Sequence, residues 1–305
     1  MISFRYHLVS IIAVFLALAL GILVGTTGLN GAVLDGLRNE RDNQAKTISQ
    51  LRSDGTVRQQ QLTDGEDFVQ DYAASLVGGA LAGQTVVIVS APGANSGIKA
   101  GVEKMVKDAG GSVVGRLDLA SGFIDPQRGP DIAHLATGDG RPAGLQLPES
   151  SDSTVLGGAL LAYVLSGKGV ATDIETVMAG FGRLRLIRVE KPDPKPAKLA
   201  IVIGAGTFTK DDGRAKAVPS LVGEFARAGL KTVVVGDAGT AMGAGTIAAV
   251  RGDTIMKQTV ATVDNANTAM GQVSSVLALA QLVTGDVGQY GTGAGAEDPF
   301  PPTGK

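Results

Sequence analysis

Thr85-Val86-Val87-Ile88-Val89-Ser90 is an unbroken, mostly β-branched run, as a strand buried on both faces of a sheet requires. Ala91-Pro92-Gly93 ends it. A helical pattern follows, with Ile98, Val102, Met105, Val106 and Ala109 apolar and Lys99, Glu103, Lys104 and Lys107 polar. Gly110-Gly111 closes that pattern, and Ser112-Val113-Val114-Gly115-Arg116-Leu117 reads as the next strand. The unit recurs: Leu199-Ala200-Ile201-Val202-Ile203-Gly204, a helix over residues 217–228 closed by Gly229, then Thr232-Val233-Val234-Val235-Gly236-Asp237. Both helices end in Ala-Gly, and both following strands are valine-rich. Strand–helix–strand in this order implies parallel pairing with right-handed crossovers. The fold class is therefore α/β: a Rossmann-like parallel βαβ domain with two similar halves, residues 84–190 and 199–290, in one sheet or two small ones. A Pro-rich linker, residues 191–198, separates them as a stiff spacer.

The remaining stretches are read in the same way. Residues 123–150 are rich in Asp, Gly and Pro and predict a long loop. Residues 154–166 are apolar but too short to span a bilayer, so they predict a buried helix. Residues 184–189 alternate with Arg183, Arg185 and Arg188 and suit an edge strand, residues 259–263 a short strand, and residues 267–283 a helix. Residues 291–305 are Gly- and Pro-rich and predict a flexible tail.

Outward toward the N-terminus, residues 8–29 carry no charged side chain. About 20 apolar residues in a helix span roughly 30 Å of hydrocarbon. Residues 1–30 thus read as a transmembrane anchor, longer than the apolar core of a cleaved signal peptide. Arg5 and His7 precede the run, and this basic bias favours a cytoplasmic N-terminus with the globular part outside the plasma membrane. Ala13, Ala17, Gly21 and Gly25 recur every fourth position, a small-residue stripe on which two helices can pack closely.

Residues 31–83 form a polar stretch with spaced apolar positions. With Leu34 as heptad position a, the frame places Leu34, Ile48, Leu62, Val69 and Leu76 at a, and Leu37, Leu51 and Tyr72 at d. The frame never shifts, which predicts a left-handed coiled-coil stalk in a parallel dimer. Arg41, Gln44, Gly55, Arg58 and Gly65 weaken it, and Asp54-Gly55 and Asp64-Gly65 are candidate breaks.

Composition narrows the chemistry. The 305 residues include no cysteine, which excludes disulfides, zinc–thiolate sites and thiol catalysis. With 27 basic and 29 acidic residues the formal charge is −2, so nothing in the balance favours a nucleic-acid partner. The dinucleotide fingerprint needs three glycines at the strand-to-helix turn. Gly204-Ala205-Gly206-Thr207-Phe208-Thr209 lacks the third. Neither a P-loop nor a G-x-S-x-G elbow occurs, and His134 is the one imidazole outside the anchor region. Soft Cu(I) takes thiolate or thioether sulfur. Met1, Met105, Met178, Met242, Met256 and Met270 form no close pair, and Met105 and Met270 fall at inward helical positions. The residues alone thus assign no catalytic group, cofactor or metal ligand, and the chain reads as non-enzymatic.

Two stretches carry a resemblance. Met1-Ile2-Ser3-Phe4-Arg5-Tyr6-His7-Leu8-Val9-Ser10-Ile11-Ile12-Ala13-Val14-Phe15-Leu16-Ala17-Leu18-Ala19-Leu20-Gly21 resembles the opening of the MctB family of actinobacterial envelope proteins. Val287-Gly288-Gln289-Tyr290-Gly291-Thr292-Gly293 resembles its closing motif. The order of anchor, heptad stalk, α/β domain and Gly-rich tail agrees as well. The resemblance implies a role in copper transport or homeostasis across the cell envelope, copper as the ligand, and an outer-membrane assignment. The residues by themselves also fit another role: a coiled-coil envelope scaffold binding a partner protein in cell-wall remodelling or cell separation.

Overall fold

The computed structural model describes residues 4–28, 30–138, 140–190, 195–206, 208 and 213–302, with side chains of residues 27–34 outside the description. Half of the Pro-rich spacer, residues 191–194, lies outside the described residues, as do residues 207 and 209–212 of the Gly204–Gly206 turn region. The chain forms two compact units, Met1–Gly65 and Glu66–Lys305.

The first unit is helical. Helix α1 (Phe4–Gly28) holds a segment, Phe4–Thr26, long and apolar enough to cross a membrane. The Thr26 hydroxyl donates to the Ile22 carbonyl at 2.9 Å, so this polar group is satisfied within its own helix. Helix α2 comprises Asn30–Val77. The breaks expected at Asp54-Gly55 and Asp64-Gly65 do not occur. A mid-helix Gly costs only about 1 kcal/mol, which a long cooperative helix absorbs. Local bonds assist: Gln60 Nε2 donates to Asp64 Oδ1 at 2.8 Å, and the Thr56 hydroxyl to the Arg52 carbonyl at 3.0 Å.

The second unit is built on one seven-stranded sheet. Its elements, in chain order after α2, are β1 (Thr85–Ser90), α3 (Ser96–Asp108), β2 (Ser112–Leu119), α4 (Ser121–Ile124), α5 (Gly129–Thr137), α6 (Ser153–Leu165), α7 (Ala171–Arg183), β3 (Ile187–Val189), β4 (Leu199–Ile203), α8 (Ala217–Ala228), β5 (Lys231–Val235), α9 (Thr246–Gly252), β6 (Val260–Val263), α10 (Ala269–Thr284) and β7 (Gln289–Tyr290). The strand order is β3-β2-β1-β4-β5-β6-β7. Every neighbouring pair is parallel except β2–β3. The edge strand expected over residues 184–189 is therefore present, shorter and antiparallel.

Order and handedness together sort the helices. β1 leads to β2 on one side and β4 leads to β5 on the other. Right-handed crossovers then place α3 and α8 on opposite faces. Val86 and Ile88 pack with Ile98, Val102 and Met105 of α3 and with α10. Val87 and Val89 pack on the other face with Leu160 of α6, Phe181 of α7 and Leu221 and Phe225 of α8. One strand alternates between two cores, which is why its sequence is apolar throughout.

Three expectations need correction. Residues 123–150 are not one long loop. Asp125 accepts the Gln127 N–H at 2.9 Å, Pro126 opens a 3₁₀ turn, and α5 follows with Ile132 and Ala136 buried. The Asp and Pro that read as loop are helix-start residues. The tail over residues 291–302 is folded rather than flexible: Gly291 N–H donates to Asp298 O at 3.0 Å and Glu297 N–H to Gln289 O at 2.7 Å. Third, the last turns of α2 belong to the globular core. Ala73 and Val77 are buried and Val69 packs against them, a four-residue spacing, whereas Tyr72 and Leu76 remain exposed.

Candidate functional site

In open parallel sheets, ligands bind beyond the carboxyl ends of the strands, where the strand order reverses. Here it reverses between β1 and β4. A crevice of about 490 Å³ opens at the end of β1, walled by the loop 91–95, the first two turns of α3, and the ends of β2 and β3. Ser90 and Asp118 are register partners on β1 and β2, and Ile88 pairs with Arg116. Alternation points all of these toward the α3 face.

The crevice wall is a chain of paired charges. Lys99 Nζ lies 2.6 Å from Asp118 Oδ1 and 2.7 Å from Glu190 Oε1. Arg188 Nη2 lies 2.7 Å from Asp118 Oδ2. Arg116 Nη1 meets Glu103 Oε2 at 3.0 Å, and Lys107 meets the other Glu103 oxygen at 2.5 Å. Burial alone would raise the Asp118 pKa. Hydrogen bonds from Lys99 and Arg188 outweigh it and lower the value from 3.8 to about 2. Among the described residues, Ser90 Oγ and Arg116 Nε are buried without a hydrogen-bond partner.

A second charged cluster holds the closing motif. Asp264, fully buried at the end of β6, accepts the Thr292 N–H on Oδ1 at 2.8 Å and the Gly293 N–H on Oδ2 at 2.9 Å. Arg251, from α9, donates through Nη1 to Asp264 Oδ2 at 2.7 Å and through Nη2 to the Tyr290 carbonyl at 2.8 Å. Its Nε reaches Thr262 Oγ1 at 2.8 Å, and Thr262 donates on to Gln289 Oε1 at 2.7 Å. Tyr290 donates its hydroxyl to Gln281 Oε1. Burial raises the pKa of that phenol, and Asp298, Asp286 and Glu297 raise it further. The glycines follow from the geometry. Gly291 sits at φ +127°, where a Cβ would fall 2.2 Å from Asp264 Oδ1. A Cβ on Gly293 would fall 2.8 Å from that of Ala241. The motif residues Tyr290, Gly291, Thr292 and Gly293 thus form a folded clamp around one carboxylate.

The other sequence-derived positions lie on the helices. Arg5, His7, Ala13, Ala17, Gly21 and Gly25 are all on the surface of α1. A Cβ at Gly21 or Gly25 would meet nothing within 4 Å in the single chain. On α2, Leu37, Ile48, Leu51, Leu62, Tyr72 and Leu76 are all at least half exposed, and the side chain of Leu34 lies outside the description. Gly204 ends β4, but the turn beyond Gly206 lies largely outside the described residues. Met105 and Met178 are core residues, whereas Met242 and Met270 are exposed. Among the described residues, no group of three or more His, Cys, Asp or Glu is placed to hold a metal ion. Sequence reasoning missed Asp264 and Arg251 because the two lie 13 positions apart on different elements. It missed the crevice because Asp118, Glu190 and Lys99 come from three elements that only the sheet brings together.

Comparison with known proteins bears on the whole chain. The family model described as "Copper transport outer membrane protein, MctB" matches residues 1–301. The copper transporter MctB of Mycobacterium tuberculosis (strain ATCC 25618 / H37Rv) is 30% identical over 307 residues, covering 97% of this chain and 98% of that protein. The copper transporter MctB of Mycobacterium leprae (strain TN) is 30% identical over 310 residues, with the same coverage.

Proposed function

The chain belongs to the MctB family, and from that premise we propose that it is a membrane-anchored envelope protein serving copper transport or homeostasis. The observation that carries this reading is the extent of the match: 97% of the chain against 98% of relatives named as copper transporters. Domain shuffling cannot account for that, since anchor region, α/β unit and closing motif are all included.

In this reading α1 spans the membrane once, with the N-terminus cytoplasmic, as the basic residues Arg5 and His7 on its first turns favour. The role is non-enzymatic. Without cysteine the chain cannot supply thiolate to Cu(I), which leaves methionine sulfur as its soft donor. One apolar helix cannot enclose a pathway alone, so movement of copper would require an assembly of chains. The test is deletion of the gene, with total cell copper measured by elemental mass spectrometry. Loss of the protein should raise cell copper and lower copper tolerance, and the intact chain should restore both. Unchanged copper content and tolerance would sink the proposal.

Exposed apolar residues on α2 favour a second reading, that of a scaffold. Leu37, Ile48, Leu51 and Leu62 are 50–65% exposed at a and d positions, with Arg41, Gln44, Gly55 and Arg58 at the a and d positions between them, and a parallel two-stranded coiled coil would cover this surface. The stripe Ala13, Ala17, Gly21 and Gly25 would continue that dimer in the membrane. The scaffold would bind an envelope partner in cell-wall remodelling or cell separation. Single cysteines at Ile48 and Leu62 should crosslink homotypically in membranes, and absence of crosslinks at both would remove the parallel seam.

A further inference from the structure

We propose that the crevice between β1, β2 and α3 is a binding site for a small singly charged oxyanion, a carboxylate or a monoanionic phosphate group. This does not depend on the copper reading. The orphan groups carry the inference. Ser90 is 5% exposed, its Oγ has no partner, and the residue forms part of the crevice wall. A buried hydroxyl without a partner has lost its water and gained no bond in return, a deficit that an incoming oxygen would remove. Arg116 Nε is a second buried group without a partner in the same wall, and it can only donate.

Helix α3, of 13 residues, starts at the same crevice. Asn95 Oδ1 caps it by accepting the Gly97 N–H at 2.8 Å, and the other first-turn N–H groups point out of the helix end. A hydroxyl, an unused guanidinium N–H and a helix N-terminus border the same crevice, and all three can donate to oxygen.

The surrounding charges set the valence of the ligand. Lys99, Arg116 and Arg188 face Glu103, Asp118 and Glu190, and each carboxylate is already held by a cation. The wall is therefore neutral in sum. It can accept one negative charge at the donors, whereas a polyphosphate would meet three carboxylates. The turn at this crevice, Ala91-Pro92-Gly93-Ala94-Asn95-Ser96-Gly97, also lacks the G-x-G-x-x-G pattern of a dinucleotide site, so a small acid fits it better than a dinucleotide.

The experiment uses the full chain in detergent micelles with two separate probes. At about pH 5.5, where both are mainly monoanions, inorganic phosphate is followed by ³¹P line width and acetate by ¹H saturation transfer. A saturable response to one or both is expected, and the responding probe identifies the oxyanion. Ser90→Ala removes the hydroxyl without adding bulk. Ser96→Glu places a carboxylate at the exposed mouth, where an acidic residue also suits the first turn of a helix. Both variants should weaken the response at least about tenfold while unfolding at or above the wild-type temperature. No response to either probe would overturn the proposal. So would a response that both folded variants retain, since that marks adventitious surface binding.

Discussion

Two carboxylates, one fully and one partly buried, stand at the carboxyl ends of strands in the same sheet, and they are used differently. Asp264 is fully enclosed, and both its oxygens are committed to an arginine and two backbone N–H groups. Asp118 is also doubly paired, yet its partners Lys99 and Arg188 stand in the wall of a crevice. Arg251 has a 4% exposed side chain, whereas that of Arg188 is 74% exposed. One carboxylate closes a loop; the other lines a space. Full satisfaction goes with a structural lock, and unmet donors go with an opening.

That contrast can be broken experimentally. The largest effect is expected at the lock. Asp264→Ala strands Arg251 and two backbone N–H groups in the interior, and losing one partner of a buried pair costs about 3–5 kcal/mol. Denaturant unfolding of the full chain should show this loss, and a cost below that of the crevice variants would reverse the assignment of roles. Gly291→Ala should come next. It adds a Cβ 2.2 Å from an Asp264 oxygen at φ +127°, for strain of about 1–3 kcal/mol plus the displaced bond. Unfolding should shift, while the α3 end of the sheet keeps its hydrogen-exchange protection.

The smallest effect belongs to the crevice. The Asp118 pKa is depressed in the folded chain, from 3.8 to about 2. Its contribution is therefore complete above pH 3.8 and disappears as the pH falls through about 2. Partial exposure screens the pair, so Asp118→Asn should cost about 1 kcal/mol at neutral pH. The gap between wild type and variant should close on acidification. A gap that is independent of pH would mean that the side chain acts through packing alone.

Much of the α/β unit is legible in the residues. Thr85–Ser90 and Leu199–Ile203 read as doubly buried strands because each must satisfy two cores at once. The antiparallel edge is visible in the alternation around Arg188. What escapes reading is decided by tertiary contact. The frame that places Val69, Tyr72 and Leu76 on one seam assumes a second chain all along α2. The sheet takes Val69, Ala73 and Val77 instead, because α2 ends against β1 and α3 rather than in solvent. Asp125 and Pro126 carry the same letters in a loop as at a helix start, and only the burial of Ile132 and Ala136 tells them apart. The Gly-rich close looks mobile until Asp264, some 28 residues upstream, is known to bind it.

The two borders of the sheet bear on how the protein behaves when crowded. Unpaired strand borders template aggregation, and natural proteins blunt them with short strands and charge. On one side stands β3, three residues long and antiparallel, carrying the exposed charge of Arg188. On the other, β7 is two residues long, and the chain's own closing segment bridges it through Tyr290 and Asp298. The clamp around Asp264 therefore also works as a terminator. By holding the last segment against β7, it denies that border to a neighbouring copy, so the molecule can be concentrated on a surface without being extended strand by strand into a fibre.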